Sequence, residues 1–269
     1  GLAGCPVDAP LARIEASQAL DLVRELLLLF LELATPEQTR MRQLLAQLPA
    51  SELLQRLQAR LDFPLQPVPI DWQPSTALMR PPAGIYPQAQ PGLCMVVAGA
   101  QLGRLHAEQL TTLAELSERH GDSELRLTPW QGLLLGNVPE ARARELLAEL
   151  DQLGLLTHAD EPLLGLVACT GSAACARGLA DSKHHALHLA ERLRESGARP
   201  QVHLSACPRS CASARVQPYT LLASTPEHYQ LYQRTPETPG FGRLLVPTMT
   251  IDEAGAWFAR QHPAGTPDA

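Results

Sequence analysis

The spacing of apolar positions divides the chain into a helical beginning and a longer part in which strands and helices alternate. Between about residues 17 and 61, leucines recur at the intervals expected of amphipathic helices. From residue 92 onwards, short apolar runs such as LCMVVAGA (93–100) alternate with segments of helical period. This strand–helix–strand order is repeated, and it predicts a mixed α/β fold in which helices cover the sheets.

A proline-rich segment separates the two parts. Eight prolines lie between residues 64 and 91. Such a composition is typical of an extended, partly polyproline-like connection. We therefore expect a helical unit over 1–63, a linker over 64–91, and α/β structure over 92–160 and 161–269.

In the last of these segments, four of the six cysteines stand at the ends of predicted elements. Cys169 ends the strand LLGLVACT, Cys175 opens a helix predicted over 174–197, and Cys207 and Cys211 follow the strand QVHLSA. A strand–helix–strand crossover makes its two strands parallel, so that adjacent strands bring their following loops to one end of the sheet. Because open α/β sheets bind ligands at that end, we expect the four thiols to converge there.

The spacing and the neighbours of these cysteines favour an iron–sulfur cluster. The pairs have the form C-x5-C and C-x3-C, whereas structural zinc usually uses pairs from C-x2-C to C-x4-C. A cluster takes four thiolates and needs room. Small residues provide that room, namely Gly171, Ser172, Ala173, Ala174 and Ala206. Zinc is the next alternative, followed by four structural thiols.

The negative charge of such a cluster would need compensation. Arg177 and Arg209 stand beside the cysteines, and the N-terminus of a helix opened by Cys175 would offer amide donors and a favourable dipole.

Overall charge and hydropathy argue against two classes of partner. A net charge of -6 is unsuited to a nucleic-acid-binding surface. The longest apolar run, Leu26–Leu31, is far shorter than the roughly 20 residues that a membrane span requires. The chain opens GLAGCPVDAP, without an initiator methionine or a secretory signal, and its cysteines are unlike a disulfide framework. We expect a cytoplasmic protein that is processed or is part of a longer chain.

Two motifs carry a family resemblance. CTGSAAC followed by CPRSC resembles the cluster signature of the siroheme-dependent sulfite and nitrite reductase superfamily, and LRLTPWQG (125–132) resembles the strand that lines the tetrapyrrole pocket there. The resemblance implies a [4Fe-4S] cluster held by Cys169, Cys175, Cys207 and Cys211. It also implies a ferredoxin-like half-domain over 92–160, a cluster and tetrapyrrole domain over 161–269, and the helical end of a preceding repeat over 1–63. Another ferredoxin-like half would then lie upstream or be supplied by a partner.

Within this superfamily, LTPW-G resembles the precorrin-3B synthase branch, because Trp130 stands where the reductases usually carry a basic residue. That resemblance implies a monooxygenase of aerobic cobalamin biosynthesis, which hydroxylates precorrin-3A and forms a lactone with O2 and NADH. One alternative is a siroheme-dependent sulfite or nitrite reductase, in which Cys211 also bridges to the siroheme iron. Another is a non-enzymatic electron-transfer or tetrapyrrole-binding module. A separate reductase is a possible partner, and no catalytic residue is assigned.

A precorrin is a flat apolar disc with carboxylates at its rim, so it needs a slot and cationic donors. Arg126 and Thr128 alternate with Leu125 and Leu127, and the polar pair is expected to face the ligand while the leucines face the core. Without the resemblance, Arg126 would be interpreted as a surface charge on an edge strand. The predicted tetrapyrrole contacts are Arg126, Thr128, Gln131, Arg177, Lys183 and Arg209.

Overall fold

The computed structural model describes residues 10–69, 83–213, 217–235 and 240–261. Its backbone divides into two compact units, Gly1–Met79 and Arg80–Ala269. In the ranges described, no helix combines the length and the apolar character that crossing a membrane would need.

The first unit is helical, as predicted. Its helices are α1 (Ala19–Leu33), α2 (Met41–Leu45) and α3 (Ala50–Gln58). They pack around a buried leucine cluster, whose members are Leu29, Leu44, Leu53 and Leu57. The leucine periodicity thus encodes the inward faces of a small helical core.

The second unit begins with a four-stranded antiparallel sheet in the order β1-β2-β4-β3. Its strands are β1 (Gly84–Pro87), β2 (Leu93–Gly99), β3 (Leu125–Thr128) and β4 (Gly132–Pro139). Two helices, α4 (Ala107–His120) and α5 (Glu140–Gln152), contribute to the same core. Alternate residues of β2 and β4 supply the buried side of the sheet, among them Val96, Ala98, Leu133 and Leu135.

Strand β1 lies inside the segment predicted to be a linker. It pairs with β2 at the edge of the sheet. An edge strand tolerates proline because one side of its backbone needs no partner. Part of the predicted linker, residues 70–82, lies outside the described residues.

A second sheet of five strands follows in the order β5-β6-β7-β8-β9. Its strands are β5 (Leu166–Ala168), β6 (Val202–Ser205), β7 (Tyr219–Ala223), β8 (Tyr229–Gln233) and β9 (Arg243–Met249). The first three run parallel, and the last two are antiparallel additions. Helices α6 (Ser182–Ser196) and α7 (Ile251–Gln261) share the core of this sheet. The predicted parallel crossover from β5 through α6 to β6 is confirmed.

The predicted beginning of the crossover helix is wrong. Helix α6 starts at Ser182, where the Asp181 carboxylate accepts a hydrogen bond from the His184 N–H and so caps the helix. The preceding residues form compact turns, in which the Ser172 N–H donates to the Ala180 carbonyl at 2.9 Å. Cys175 therefore lies in a turn, and the helix N-terminus that was expected beside it lies at Ser182.

Candidate functional site

The two cysteine loops meet at the carboxyl end of the parallel strands. Ala168 pairs with Leu204 across β5 and β6, so Cys169 lies directly beside the end of β6. The Ala206 N–H donates to the Cys169 Sγ at 3.3 Å. The Leu179 N–H donates to the Ala206 carbonyl at 3.0 Å, which ties the first cysteine loop to the second. Residues 38 positions apart in sequence, Cys169 and Cys207, are thus held by adjoining backbone segments.

All four cysteines are free thiols in the structure. Cys169 and Cys207 are half-buried, whereas Cys175 and Cys211 are exposed. Among the described residues, no three of these sulfurs lie within 4.8 Å of one another, as the ligands of a single ion would.

Two glycines allow the first cysteine loop to fold tightly on itself. Gly171 has a φ of 69°, and a Cβ there would lie 2.6 Å from the Ala180 carbonyl oxygen and from the Ser182 nitrogen. A Cβ on Gly178 would lie 2.6 Å from the Gly171 carbonyl carbon. Their small size is required by the backbone itself, while the exposed Ala173 and Ala174 leave the outer side of the loop open.

Three buried polar residues near this end of the sheet had no assigned role in the sequence interpretation. Ser182 is fully buried; its hydroxyl donates to the Cys169 carbonyl at 2.9 Å and lies 3.2 Å from the Cys169 Sγ. The Tyr229 hydroxyl lies 2.8 Å from the His185 Nδ1. Burial raises the pKa of Tyr229, and negative charge at Cys169 raises it further. A serine directly after a helix cap was the available signal for Ser182, whereas β8 and its tyrosine were not predicted.

The basic side chains near the two cysteine loops differ in exposure and in their partners. Arg177 and Arg209 are exposed, and neither makes an ion pair within the part of the chain that the structure describes. Lys183 is half-buried and donates to the Leu102 carbonyl. Its pKa is lowered by burial and by the neighbouring Arg104. Arg177 and Arg209 are therefore available to an anionic ligand, and Lys183 is already engaged with the protein.

Arg126 is also engaged. Its guanidinium lies 2.8 Å from Asp122 and 2.6 Å from Glu124. The hydrogen bond that Arg126 donates to Asp122 is the main reason that the pKa of Arg126 is raised. The expectation that Leu127 faces the core is wrong, since its side chain is 70% exposed. Strand β3 is an edge strand, which leaves its last leucine uncovered. Whether Arg126 contacts a tetrapyrrole stays a prediction, and it would require release from two carboxylates.

Thr128 and Gln131 differ from Arg126 in that each lines a small cleft with Trp130. The first cleft includes Thr128 and Gly99, and the second includes Gln131 and Val167 of β5. The Thr128 hydroxyl accepts a hydrogen bond from the Gly132 N–H, and Gln131 has a φ of 62°. None of the described residues that line the two clefts is charged.

Comparison with known proteins agrees with this architecture. Residues 86–153 match the family described as nitrite/sulfite reductase ferredoxin-like half domain. The NirA protein of Mycobacterium tuberculosis has a similar structure, with a TM-score of 0.74 over 99% of this chain and 54% of that chain, at 23% identity. The fold is that of a nitrite/sulfite reductase with a ferredoxin-like half-domain, and the predicted fold class is confirmed.

Curated relatives point the same way. The chloroplastic ferredoxin–nitrite reductase of Zea mays is 38% identical over 49% of this chain and 24% of its own length. That of Synechococcus elongatus is 34% identical over 58% of this chain and 30% of its length. The sulfite reductase [ferredoxin] of M. tuberculosis is 32% identical over 46% of this chain and 24% of its length. The chain thus spans less than a third of the length of each of these relatives. They support the resemblance to the superfamily, but they give no support to the precorrin-3B synthase branch.

Proposed function

We propose that the chain is the cluster-binding part of a redox enzyme, in which Cys169, Cys175, Cys207 and Cys211 hold a [4Fe-4S] cluster beside a tetrapyrrole. The observation that carries the proposal is the contact of the Ala206 N–H with the Cys169 Sγ, which unites the two cysteine loops at one sheet end. A cluster bound there would supply electrons one at a time. The protein's part is to hold the thiolates and to offset their charge with Arg177 and Arg209.

Reduction of nitrite or sulfite at siroheme is the reaction that the relatives favour over the oxygenase interpretation. Their names pair nitrite or sulfite reductase with ferredoxin. A ferredoxin-type electron donor accordingly replaces NADH in this proposal. The family match over residues 86–153 supplies the half-domain, and its Trp130 and Gln131 would face the tetrapyrrole.

A precorrin-3B synthase type of oxygenase is the second candidate, and Trp130 favours it. Small anions such as nitrite and sulfite need cationic donors. The described lining of the two clefts offers a tryptophan, small residues and leucines, but no cation. Under this candidate precorrin-3A and O2 are the substrates, and NADH is the electron source.

Cluster binding is tested by anaerobic reconstitution of the full chain, with iron and sulfide analysis and an EPR spectrum of the reduced protein. We expect about four irons per chain in the wild type and loss of the signal in Cys207→Ser. The control is Cys94→Ser, because Cys94 is buried in the other sheet and its thiol donates to the Val138 carbonyl. A wild type without iron, or equal iron in Cys207→Ser, would reject the cluster.

The reaction is tested on the cluster-loaded chain with two assays. Reduction of nitrite or sulfite by the siroheme-loaded protein with a viologen donor supports the reductase. Consumption of precorrin-3A that depends on O2 supports the oxygenase. A fully loaded protein without either activity supports the third alternative, a non-enzymatic electron-transfer or tetrapyrrole-binding module.

A further inference from the structure

Of the four cysteine sulfurs, that of Cys169 has a distinct environment. The Ala206 N–H donates to it at 3.3 Å, and the Ser182 hydroxyl oxygen lies 3.2 Å from it. Within the described ranges, no hydrogen bond ends on the sulfur of Cys175, Cys207 or Cys211. The asymmetry means that hydrogen bonds from the protein would hold one ligand of the cluster, whereas the described structure shows no such bonds to the other three sulfurs.

Ser182 is not needed as the cap of helix α6. That role belongs to Asp181, whose carboxylate accepts from the His184 N–H at 3.2 Å. The Ser182 hydroxyl is therefore directed to Cys169, where it has two acceptors, the carbonyl oxygen at 2.9 Å and the sulfur. A hydroxyl rotates to suit its partner. When Cys169 is a thiolate, a charge-assisted bond to the sulfur becomes the stronger of the two.

The position of Ser182 is fixed by its surroundings. Its side chain has no solvent exposure, and a Cβ on Gly171 would lie 2.8 Å from its oxygen. It is also the first residue of a 15-residue helix, where the backbone dipole favours negative charge. The hydroxyl and the helix end thus act on the same sulfur.

We propose that Ser182 is a positioning residue for the cluster: its hydroxyl donates to the Cys169 thiolate and raises the reduction potential of the bound cluster. The inference rests on the proposed cluster site. Hydrogen bonds to cluster sulfurs stabilise the more negative, reduced state and so shift its potential upwards. Ser182 transfers no electron and acts only through Cys169.

The experiment is an EPR-monitored redox titration of the anaerobically reconstituted full chain as wild type and as Ser182→Ala. We expect equal iron and sulfide content and a more negative midpoint potential in the variant. The matched control is Ser196→Ala, because Ser196 is the last residue of the same helix and its hydroxyl donates to the Leu193 carbonyl. Its potential is expected to equal that of the wild type.

Two further measurements separate a hydrogen bond from a loss of packing. After exchange into D2O, pulsed EPR of the reduced wild type should show a deuteron coupling that Ser182→Ala lacks. Ser182→Cys fills the space that alanine would leave, with a slightly larger atom that donates weakly. It should lower the potential less than Ser182→Ala does, and it decides the question if the alanine variant does not hold a cluster.

The outcomes distinguish this inference from the proposed function. A loaded wild type whose potential is unchanged in Ser182→Ala, or in Ser182→Cys if only that variant loads, overturns the role of Ser182 and leaves the cluster site standing. A wild type that binds no iron overturns both.

Discussion

Individual side chains of the second sheet carry ionisable groups that water does not reach. His203, in the middle of β6, is 1% exposed, and its Nε2 has no hydrogen-bond partner in the described structure. Its parallel neighbour on β7, Thr220, is also buried with an unpartnered hydroxyl. A buried polar group without a partner raises the free energy of the folded state. For the histidine, this cost depends on whether the imidazole is protonated.

Stability towards acid should depend on His203. Burial lowers its pKa from 6.5 to about 4. As the pH falls below 6.5, the unfolded chain takes up a proton that the folded chain does not accept until about pH 4, so the free energy of unfolding decreases with falling pH. This histidine accounts for a loss of up to about 3 kcal/mol between pH 7 and pH 4.

The measurement is urea denaturation of the cluster-free chain at pH 7, 5 and 4. His203→Leu should be less sensitive to acid than the wild type, whereas His184→Leu, which alters an exposed histidine, should follow the wild type. Identical pH dependence of His203→Leu and wild type would show that His203 is not the acid-sensitive group.

Tyr229→Phe should destabilise the fold by about 1 kcal/mol. The change removes the partner of the His185 Nδ1, and His185 is a buried residue in the first turn of α6. Tyr232→Phe on the same strand is the matched control, because its hydroxyl bonds to the partly exposed Gln230 and water can replace that bond. A comparison of the two urea midpoints tests the prediction, and equal midpoints would contradict it.

At the scale of elements, the turn between β5 and α6 decides where the cysteines lie. Gly171→Ala places a methyl group against the Ala180 carbonyl and the Ser182 nitrogen in a left-handed backbone conformation. We expect a loss of about 1–3 kcal/mol in stability and a lower iron content after reconstitution. Gly92→Ala has a similar φ of 77° but no atom within 4 Å, so it should cost less and leave iron binding unchanged. Equal effects of the two substitutions would mean that crowding in the cysteine loop is unimportant.

The periodicity of apolar residues predicted most of the helices and strands, but it did not predict where they begin near the cysteines. The apolar runs of β2, β5 and β6 and the order around α6 predicted the parallel crossover. The start of α6 was placed at residue 174, because the small residues there are compatible with a helix. What excludes a helix is the contact of Gly171 with Ala180 and Ser182, which only the folded loop shows.

The candidate site was likewise only partly visible in the sequence. The cysteine spacing located Cys169 and Cys207 at one sheet end, because strand direction follows from the crossover. Arg126 forms an ion pair with Asp122, and the alternation of polar and apolar residues along β3 does not reveal that pair. Ser182 and Tyr229 are both buried, and a single sequence does not show which of its polar residues are buried.

On the scale of the whole molecule, the two sheets of the second unit come together near Gly99, where β2 and β5 line one cleft. Gly99 of β2 forms a two-way backbone bridge with Leu156, at 2.8 Å in each direction. Trp130 lies next to it and lines both clefts, one of which reaches Val167 of the other sheet. A flat ligand held at this junction would contact the indole.

Trp130→Ala should therefore weaken the binding of siroheme about tenfold, since loss of an aromatic contact costs about 1 kcal/mol or more. Titration followed by visible absorption measures the affinity. Leu127→Ala removes an exposed apolar side chain from the neighbouring strand outside the clefts, and it should bind as the wild type does. Unchanged affinity in Trp130→Ala would exclude the indole from the tetrapyrrole site.

The engagement of Lys183 with the Leu102 carbonyl has a practical consequence, because Lys183 is the only lysine of the chain. A lysine-specific protease can cut this polypeptide at one bond alone, between the C-x5-C and C-x3-C pairs. That bond lies in the first turn of α6 and is accessible only when the turn opens. The rate at which two fragments appear would therefore measure the opening of this turn, and a bound cluster should slow it.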